Sequence, residues 1–453
     1  LGLALLAAAL FVNSPQERPA MGLWRLPLDH LGSLLYENFS TFLNLSFAHF
    51  CLMDVLVMLA ALMLLQRRWS RFPHGSSGAG CLRHALLWSM AGLGLIEVWG
   101  LLRGGDFRQS LWQARQLLYV PIMALVFLST WRTAHDRRVV GAIVLAAAIY
   151  KALMGIYFGW VLSPARGWSP AYVTTHSDTI LFASAVIVVL VAFYELPSAR
   201  HGLLAAASLP LLAVVIVLNN RRLAHAAILA SIATTWVVVP WSRLKRGVTR
   251  AALLAAPLLV LYVAVGWSSS AAVFAPLSAL RSISGSEDRS VVLRDIEDYN
   301  LVYSMRTHPL LGSGLGHEYS ELILATDVAQ VFPQYKFIPH NSLLGLWAFG
   351  GLIGFTAIWL PIGIAVFLAV RSHPRARSAS DRAAALAVIG VVIAYAAQAW
   401  GDMGLQSWEC TFLVAAALAV AGGLAVEVGA WPAAGAGRGD DGKVKLEEET
   451  SHG

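Results

Sequence analysis

Charged residues are scarce in this chain. Only 13% of its 453 residues are Asp, Glu, Lys or Arg, whereas 57% are hydrophobic. Because soluble domains carry roughly 25% charged residues, the sequence lacks the polar side chains needed to cover a globular protein in water. The shortage excludes an ordinary soluble domain and favours a chain that lies largely within a membrane.

Cysteine is scarce too, and several ligand-binding motifs are missing. Cys51, Cys81 and Cys410 are scattered and lack the C-x-x-C spacing of a metal site. The chain has no Walker-type glycine loop, which argues against an ATP-driven pump. Its net charge of +7 comes without a run of basic residues interleaved with aromatics, so it does not indicate nucleic-acid binding. We therefore predict no metal, no cofactor and no nucleic-acid partner.

Long apolar runs dominate what is present. Runs of roughly 16–20 residues recur between short basic loops, and this length crosses a ~30 Å hydrocarbon core as an α-helix. Because a segment in lipid must satisfy its own backbone hydrogen bonds, the runs are predicted to be helical. The fold class is therefore all-α, a polytopic membrane helix bundle of about twelve transmembrane helices. The predicted spans are 1–12, 48–66, 85–102, 117–131, 139–162, 179–194, 202–218, 223–240, 251–266, 341–370, 383–400 and 410–428.

The two ends of the chain differ from the rest. The first apolar run, at 1–12, is short, and we expect a membrane anchor, with the apolar part of a signal peptide as the alternative. From about Trp431 the sequence is rich in Gly and Ala and then carries mixed charges. We predict a transmembrane domain over residues 1–430 and a disordered cytoplasmic tail over residues 431–453.

The basic residues of the short loops are distributed unequally. Loops on one side of the predicted membrane contain sixteen Lys and Arg, and loops on the other side contain six. Because cytoplasmic loops carry the excess of basic residues, the richer side is predicted to be cytoplasmic and to hold both ends of the chain. The one long polar segment, about 268–339, is then predicted to lie on the outer side.

Four arginines on the outer side are candidates for binding phosphate oxygens, because a guanidinium can hold them with two parallel hydrogen bonds. Arg221 and Arg222 form a short turn between two apolar spans, against the charge bias of that side. A plain turn with a basic edge is the alternative for this pair. Arg289 and Arg294 lie in the polar segment, where helical spacing of apolar residues predicts a helix over 289–306. A surface helix would carry such charges in any case.

The polar segment ends in a glycine motif and then a histidine. Pro309 ends the predicted helix, and Gly312, Gly314 and Gly316 follow in alternation. Such glycines let the backbone turn tightly or approach a ligand closely. His340 stands at the start of the next apolar helix, where a lone histidine is usually a cap. As the one side chain there that titrates near neutrality, it is also the natural general base.

The spacing of these residues resembles the signature of the O-antigen ligase and polymerase superfamily. His340 and Asn341 are followed after nine residues by Gly351 and after two more by Gly354. The segment from Pro309 to Gly316 resembles the loop motif of the family, and Arg294 resembles the arginine that precedes it. The Arg221/Arg222 turn is similar to the family's outward arginine, but it reads Asn-Arg-Arg-Leu where the family usually has Ser-Arg-Gly.

The resemblance implies an inverting, metal-independent glycosyltransferase of the bacterial inner membrane, with its active site facing the periplasm. The implied donor is a glycan on undecaprenyl pyrophosphate, and the implied acceptor is lipid A core or a growing polysaccharide. In this scheme His340 removes the proton of the acceptor hydroxyl. Arg221 or Arg222, together with Arg294, stabilises the departing pyrophosphate.

Other functions remain open at this point. Ligase, polymerase and protein O-glycosylation share the donor and differ in the acceptor. A transporter is the alternative from another class, and its functional charges should lie near the membrane midplane. Lys151, Asp54 and Glu97 are the clear mid-span candidates and form no obvious relay; Lys151 is expected to snorkel or to bind a lipid phosphate. A non-catalytic scaffold would not need the His, Arg and Gly motifs.

Overall fold

The computed structural model describes residues 1–14, 28–42, 49–66, 77–131, 133–269, 271–274, 277, 289–324 and 334–430. These residues form helices and connecting loops, with no strand among them, so the all-α prediction is confirmed for this part of the chain. In chain order the helices are α1 Gly2–Phe11, α2 Asp29–Tyr36, α3 Phe39–Phe42, α4 Leu52–Gln66, α5 Ser77–Leu102, α6 Phe107–Thr130, α7 Ala134–Tyr157, α8 Ser163–Ala165, α9 Asp178–Glu195, α10 Ala199–Leu218, α11 Arg222–Val238, α12 Arg243–Gly266, α13 Arg289–Thr307, α14 Ser342–Ser372, α15 Ala379–Gly401 and α16 Trp408–Glu427. The predicted tail over residues 431–453 lies outside the described residues.

Nine of the described helices are long and apolar enough to cross a membrane, so the chain is a multi-pass membrane protein. Three shorter apolar helices, α1, α4 and α11, fall where three further spans were predicted. The count of twelve spans remains a prediction. α7 continues through a π-helical turn at Phe158–Leu162 into α8, which makes one apolar segment of 32 residues.

The bundle is organised around α16. Nearly all of its residues are buried, and it packs against α6, α14 and α15. The neighbouring α5 and α14 approach closely because small residues face each other: a Cβ on Gly350 or Gly354 would touch Ile96, and one on Gly92 would touch Ala357. By contrast, the apolar stretch of α12 has no buried residue.

One predicted boundary was wrong by ten residues. α6 begins at Phe107, whereas the sequence predicts a span that starts at residue 117, because the residues between are polar. Asp106 caps the helix by accepting a hydrogen bond from the Gln109 amide at 2.8 Å. Gln113 turns inward, donates to the Phe337 carbonyl and accepts from the Gly316 amide. Polar residues inside a membrane helix are therefore used here to hold the polar loop on the bundle.

Candidate active site

The candidate residues gather at one end of the bundle. His340 lies two residues before α14, and Arg221 directly precedes α11. At the same end, Asp402 directly follows α15 and His176 lies two residues before α9. Each side chain is therefore placed by the end of a helix that is fixed in the bundle, and α13 of the polar segment packs against α14.

His340 is paired with Glu297 of α13. Its backbone amide donates to Glu297 Oε2 at 3.1 Å, and its ring Nδ1 lies 3.4 Å from Oε1. The Glu297 side chain is 6% exposed, whereas the His340 ring is 30% exposed. The buried Glu297 carboxylate is thus hydrogen-bonded to His340, while part of the His340 imidazole is accessible to a substrate.

The surroundings of His340 adjust its basicity. Burial lowers the pKa of the imidazole, but the hydrogen bond and charge of Glu297, with the charge of Asp402, outweigh burial and raise the pKa above its ordinary value. The positive charge of Arg294 lowers the pKa of His340. A raised pKa makes the neutral imidazole a stronger base, as general-base catalysis requires.

Asn341 holds α13 and α14 together. Its Oδ1 accepts a hydrogen bond from the Leu344 amide and so caps α14, and its Nδ2 donates to Asp298 Oδ2 at 3.3 Å. Burial, with the charge of Glu297, raises the pKa of the Asp298 carboxyl to about 6, although the hydrogen bond from Asn341 opposes this. In the His-Asn pair of the motif, His340 is therefore the candidate base and Asn341 fixes the start of α14.

Arg221 lies on an aromatic ring. Its guanidinium carbon is 4.0 Å from the centre of the Tyr172 ring, and Nη1 is 2.6 Å from His176 Nδ1. The turn before it is built by two asparagines. Asn220 has a φ of 47°, a left-handed conformation that asparagine tolerates. The Asn219 side chain accepts from the amides of Val173 and Thr174. The unusual Asn-Asn sequence thus ties the arginine turn to the loop that carries Tyr172.

His176 and Asp402 form a second histidine–carboxylate pair, with Nδ1 2.6 Å from Oδ2. The Asp402 side chain is 6% exposed and the His176 side chain 52%. Burial raises the pKa of the Asp402 carboxyl, but the hydrogen bond and charge of His176, with the charge of Arg221, outweigh it and lower the pKa to about 2. Asp402 is therefore ionised, and it lies near enough to His340 to raise that group's pKa as well.

The other predicted arginines differ in their positions. Arg294 is exposed on α13, and its charge acts on His340, Asp298 and Arg221. Arg222 is the first residue of α11 and is exposed. Arg289 begins α13, but its side chain lies outside the described part of the structure. Geometry thus brings Arg221 and Arg294 together with His340, and the roles of all four arginines stay predictions.

The glycines of the loop motif lie directly against the backbone of neighbouring helices. Gly312, Gly314 and Gly316 have φ values of 66°, 90° and 85°, which other residues rarely adopt. A Cβ on Gly312 would collide with the Phe349 carbonyl, and one on Gly314 with the backbone of Gly100. The close approach predicted from these glycines is therefore an approach to neighbouring helices.

The glycine loop fits into a break in α14 at Gly351. Gly351 has a φ of 57° and a ψ of −157° within the helix. The Ser313 and Gly314 amides donate to the carbonyls of Ala348 and Phe349, at 3.0 and 2.8 Å, on one side of the break. On the other side the Leu352 amide donates to the Pro309 carbonyl at 2.9 Å. Two parts of the sequence signature thus form one backbone connection, which fixes the polar segment to α14.

The expectation that Lys151 snorkels or binds a lipid phosphate was wrong. Its ammonium lies 2.6 Å from Asp178 Oδ1 and 3.0 Å from Glu409 Oε1, and all three side chains are buried. Sequence analysis missed both partners because they stand at the starts of α9 and α16, where charges look exposed. Desolvated in this way, the ammonium needs carboxylates as partners.

Glu297, His176, Tyr172 and Asp402 were also not among the residues singled out as candidates in the sequence. For His176 and Asp402 a sequence signal exists, because both are polar residues directly beside span ends that the loop charges predict to face outward. Glu297 lies on the predicted helix but looks like any other surface charge there. Among the described residues, no group of three or more His, Cys, Asp or Glu is arranged to hold a metal ion.

The geometry defines a multi-pass membrane protein with two histidine–carboxylate pairs and an arginine at one end of its bundle. Residues 207–360 match the family model described as O-antigen ligase, a segment that runs from α10 into α14 and includes Arg221, the glycine loop and His340. The match covers about a third of the chain and confirms the resemblance to the O-antigen ligase and polymerase superfamily drawn from the motifs. No curated protein matches the chain.

Proposed function

We propose that this protein transfers a glycan from undecaprenyl pyrophosphate to a hydroxyl of an acceptor saccharide, on the periplasmic side of the bacterial inner membrane. The observation that carries the proposal is the half-buried His340 ring, hydrogen-bonded to the buried Glu297 within the segment that matches the O-antigen ligase family. The sixteen-to-six distribution of basic residues supports the orientation.

In the proposed reaction, neutral His340 accepts the proton of the acceptor hydroxyl while that oxygen attacks the anomeric carbon. The new glycosidic bond forms as the bond between the anomeric carbon and the pyrophosphate oxygen breaks, and the pyrophosphate leaves with the electron pair. A direct attack from the opposite face inverts the anomeric centre. Glu297 stabilises the imidazolium that results, because its carboxylate lies 3.3 Å from Nδ1.

Arg221 and Arg294 are proposed to bind the departing pyrophosphate. Preorganised donors aimed at developing charge commonly contribute about 3–4 kcal/mol each to the transition state. Arg221 is held by Tyr172 beneath its guanidinium plane and by the turn at Asn219 and Asn220. Such an arginine is already oriented before the donor arrives, so little side-chain entropy is lost on binding.

The buried charges do not favour the transporter alternative. Lys151 is paired with residues at the starts of α9 and α16, so the ion cluster lies near the active-site end of those helices. A transport site is expected near the midplane, where helices are interrupted. The other two candidates lie near helix ends, Asp54 in the first turn of α4 and Glu97 near the end of α5, and they contact Tyr119 and Ser110 respectively.

Reconstitution tests the proposed function directly. Purified protein in lipid nanodiscs is mixed with an undecaprenyl-pyrophosphate glycan and a saccharide acceptor, and the product is analysed by mass spectrometry and by the configuration of the new bond. Inverted product supports the proposal; intact donor after incubation with each acceptor class would overturn it. In a deletion strain, loss of long chains indicates a polymerase, loss of capped lipid A core a ligase, and loss of protein-bound glycan a protein O-glycosylation enzyme.

Metal independence has its own test. Because the arginines are proposed to neutralise the leaving group, transfer should proceed at an unchanged rate in excess EDTA. A chelator-sensitive glycosyltransferase with a known metal requirement serves as the positive control. Loss of transfer in EDTA that Mg²⁺ restores would show that the arginines are not the main stabilisers.

A further inference from the structure

The ring of His176 contacts other side chains through Nδ1, whereas its Nε2 side is accessible. Nδ1 lies 2.6 Å from Asp402 Oδ2 and also 2.6 Å from Arg221 Nη1. One ring nitrogen either carries a hydrogen or offers a lone pair, so both contacts cannot be hydrogen bonds at once. Which of them is the hydrogen bond decides what the other nitrogen, Nε2, can do.

The pair with Asp402 is the hydrogen bond. The carboxylate is ionised and nearly buried, so it requires a donor. A lone pair on Nδ1 facing that carboxylate would be repelled, whereas N–H donates well. Arg221 then lies beside the pair, attracted by the charge of Asp402 and supported by the ring of Tyr172.

Nε2 is therefore the nitrogen on the open half of the ring. The side chain is 52% exposed, and no residue in the described ranges is hydrogen-bonded to Nε2. Because Nδ1 keeps its hydrogen for Asp402, Nε2 carries a hydrogen as well only in the imidazolium form, which the ionised Asp402 stabilises. Next to Nε2 is the guanidinium of Arg221, which donates and does not accept. In the imidazolium form the two groups are donors side by side, with a carboxylate behind the ring, and they suit an anion with several oxygens.

We propose that His176 is a second binding residue for the donor pyrophosphate and that, as an imidazolium, it donates from Nε2–H to a non-bridging oxygen beside Arg221. The inference rests on the proposed function and adds a residue that neither the family motif nor the matched segment contains, because His176 precedes residue 207. Asp402 is the positioning residue: it orients the ring and stabilises the imidazolium once the anion is bound.

The backbone around His176 is held in place for this role. The Thr175 amide donates to Asp178 Oδ2 at 2.9 Å, and Gln398 Nε2 donates to the His176 carbonyl at 3.4 Å. Asp178 is in turn ion-paired with Lys151. The loop is thus fixed to α9 and α15, and the ring meets the ligand without reordering the chain.

Amide substitutions separate the two ring nitrogens. A glutamine side chain places its N–H close to the position of Nε2, whereas asparagine places it close to Nδ1. We expect His176→Gln to retain affinity for inorganic pyrophosphate within about threefold, and His176→Asn and His176→Ala to lose it about tenfold or more, as for one hydrogen bond to a charged group. Isothermal titration of detergent-solubilised protein measures the affinity, and thermal unfolding checks that each variant is folded.

The outcomes distinguish this inference from the proposed function. Equal affinity of wild type and all three folded variants overturns the role of His176 and leaves glycosyl transfer standing if wild type still makes product. Better binding by His176→Asn than by His176→Gln also overturns it, because Nδ1 would then be the essential atom. Wild-type protein that neither binds pyrophosphate nor transfers glycan removes the proposed function itself. His308→Gln, an exposed histidine outside the site, is the matched control.

A double-mutant cycle tests the role of Asp402. If Asp402 acts through His176, then Asp402→Asn weakens pyrophosphate binding, and combining it with His176→Ala adds less than about twofold to the loss of His176→Ala alone. Fully additive losses would mean that Asp402 acts independently of His176 and would overturn the positioning role.

Discussion

The two ends of α14 carry the same chemical pair in different surroundings. At the start of the helix, His340 faces Glu297 of α13 and keeps a ring that is 30% exposed. Directly after its end, His373 faces Glu195 of α9 with Nε2 2.9 Å from Oε1, and its ring is 4% exposed. Arg382 also donates to Glu195, at 2.7 Å. The carboxylate of the second pair has a histidine and an arginine as partners, and the histidine ring has no accessible side.

This comparison shows that a histidine–carboxylate pair is not by itself a site. His373 and Glu195 satisfy each other's hydrogen bonds where α9, α14 and α15 meet, which stabilises the junction. His340 leaves part of its ring available, and Arg294 and Asp402 act on its charge. The two pairs therefore differ in the exposure of the histidine ring and in the charged groups that lie around it.

The largest effect is expected for His340→Ala. Loss of a general base typically costs about 100- to 10,000-fold in rate, so glycosyl transfer in nanodiscs should fall by at least about 100-fold while donor binding persists. His308→Ala is the control, because that residue is an exposed histidine of the same polar segment. Transfer by folded His340→Ala protein at the normal rate would reduce His340 to a helix-end residue like His373.

Arg221→Ala is expected to have the next largest effect. Removal of one preorganised donor costs about 100- to 1,000-fold in the chemical step, and Arg221→Lys should recover only part of this because the planar fork is lost. Arg222→Ala, which changes the neighbouring exposed arginine, should lose less than about tenfold by the same reasoning. Steady-state transfer kinetics measure all three variants. A larger loss in Arg222→Ala than in Arg221→Ala would exchange the roles of the two residues.

At the other end of α14, His373→Ala should affect stability and leave chemistry intact. A buried hydrogen-bond partner of a charged group is removed, which costs about 1–3 kcal/mol in stability. We expect a lower midpoint of thermal unfolding in detergent and an unchanged rate of transfer per folded molecule. A rate that falls with no change in the unfolding midpoint would mean that the end of α14 at His373 takes part in the reaction.

The helices could be predicted from the sequence because the signal is local. Apolar runs of spanning length set most of the bundle, and apolar residues at helical spacing predicted α13 within one residue. The start of α6 was missed because its polar residues bind the loop rather than water. Partners distant in the chain could not be predicted: Glu297 and His340 are 43 residues apart, and His176 and Asp402 are 226 apart. No local pattern encodes such pairs.

The glycine motifs show a different limit. Their spacing predicted a backbone that turns tightly or approaches a ligand closely, whereas Gly312 and Gly314 in the structure approach the backbone of neighbouring helices. The sequence could not say what is approached, because a break in one helix filled by a distant loop leaves no periodic signal. The conformation was predictable from the residue type, and the partner was not.

Glu297→Gln is expected to have the smallest effect and to separate the two ends most sharply. Because the carboxylate raises the pKa of His340, and because the base must be neutral to accept a proton, kcat/KM in the wild type should rise as pH increases through that raised pKa. The amide removes the charge that favours the imidazolium. The acid limb should therefore move to lower pH, while the plateau falls by about tenfold or less because a weaker base remains. The pH profile of transfer by both proteins measures this, with His373→Ala as the control whose profile keeps the wild-type limb. A limb that stays in place, or moves to higher pH, would mean that His340 is not the group whose neutral form carries out the reaction.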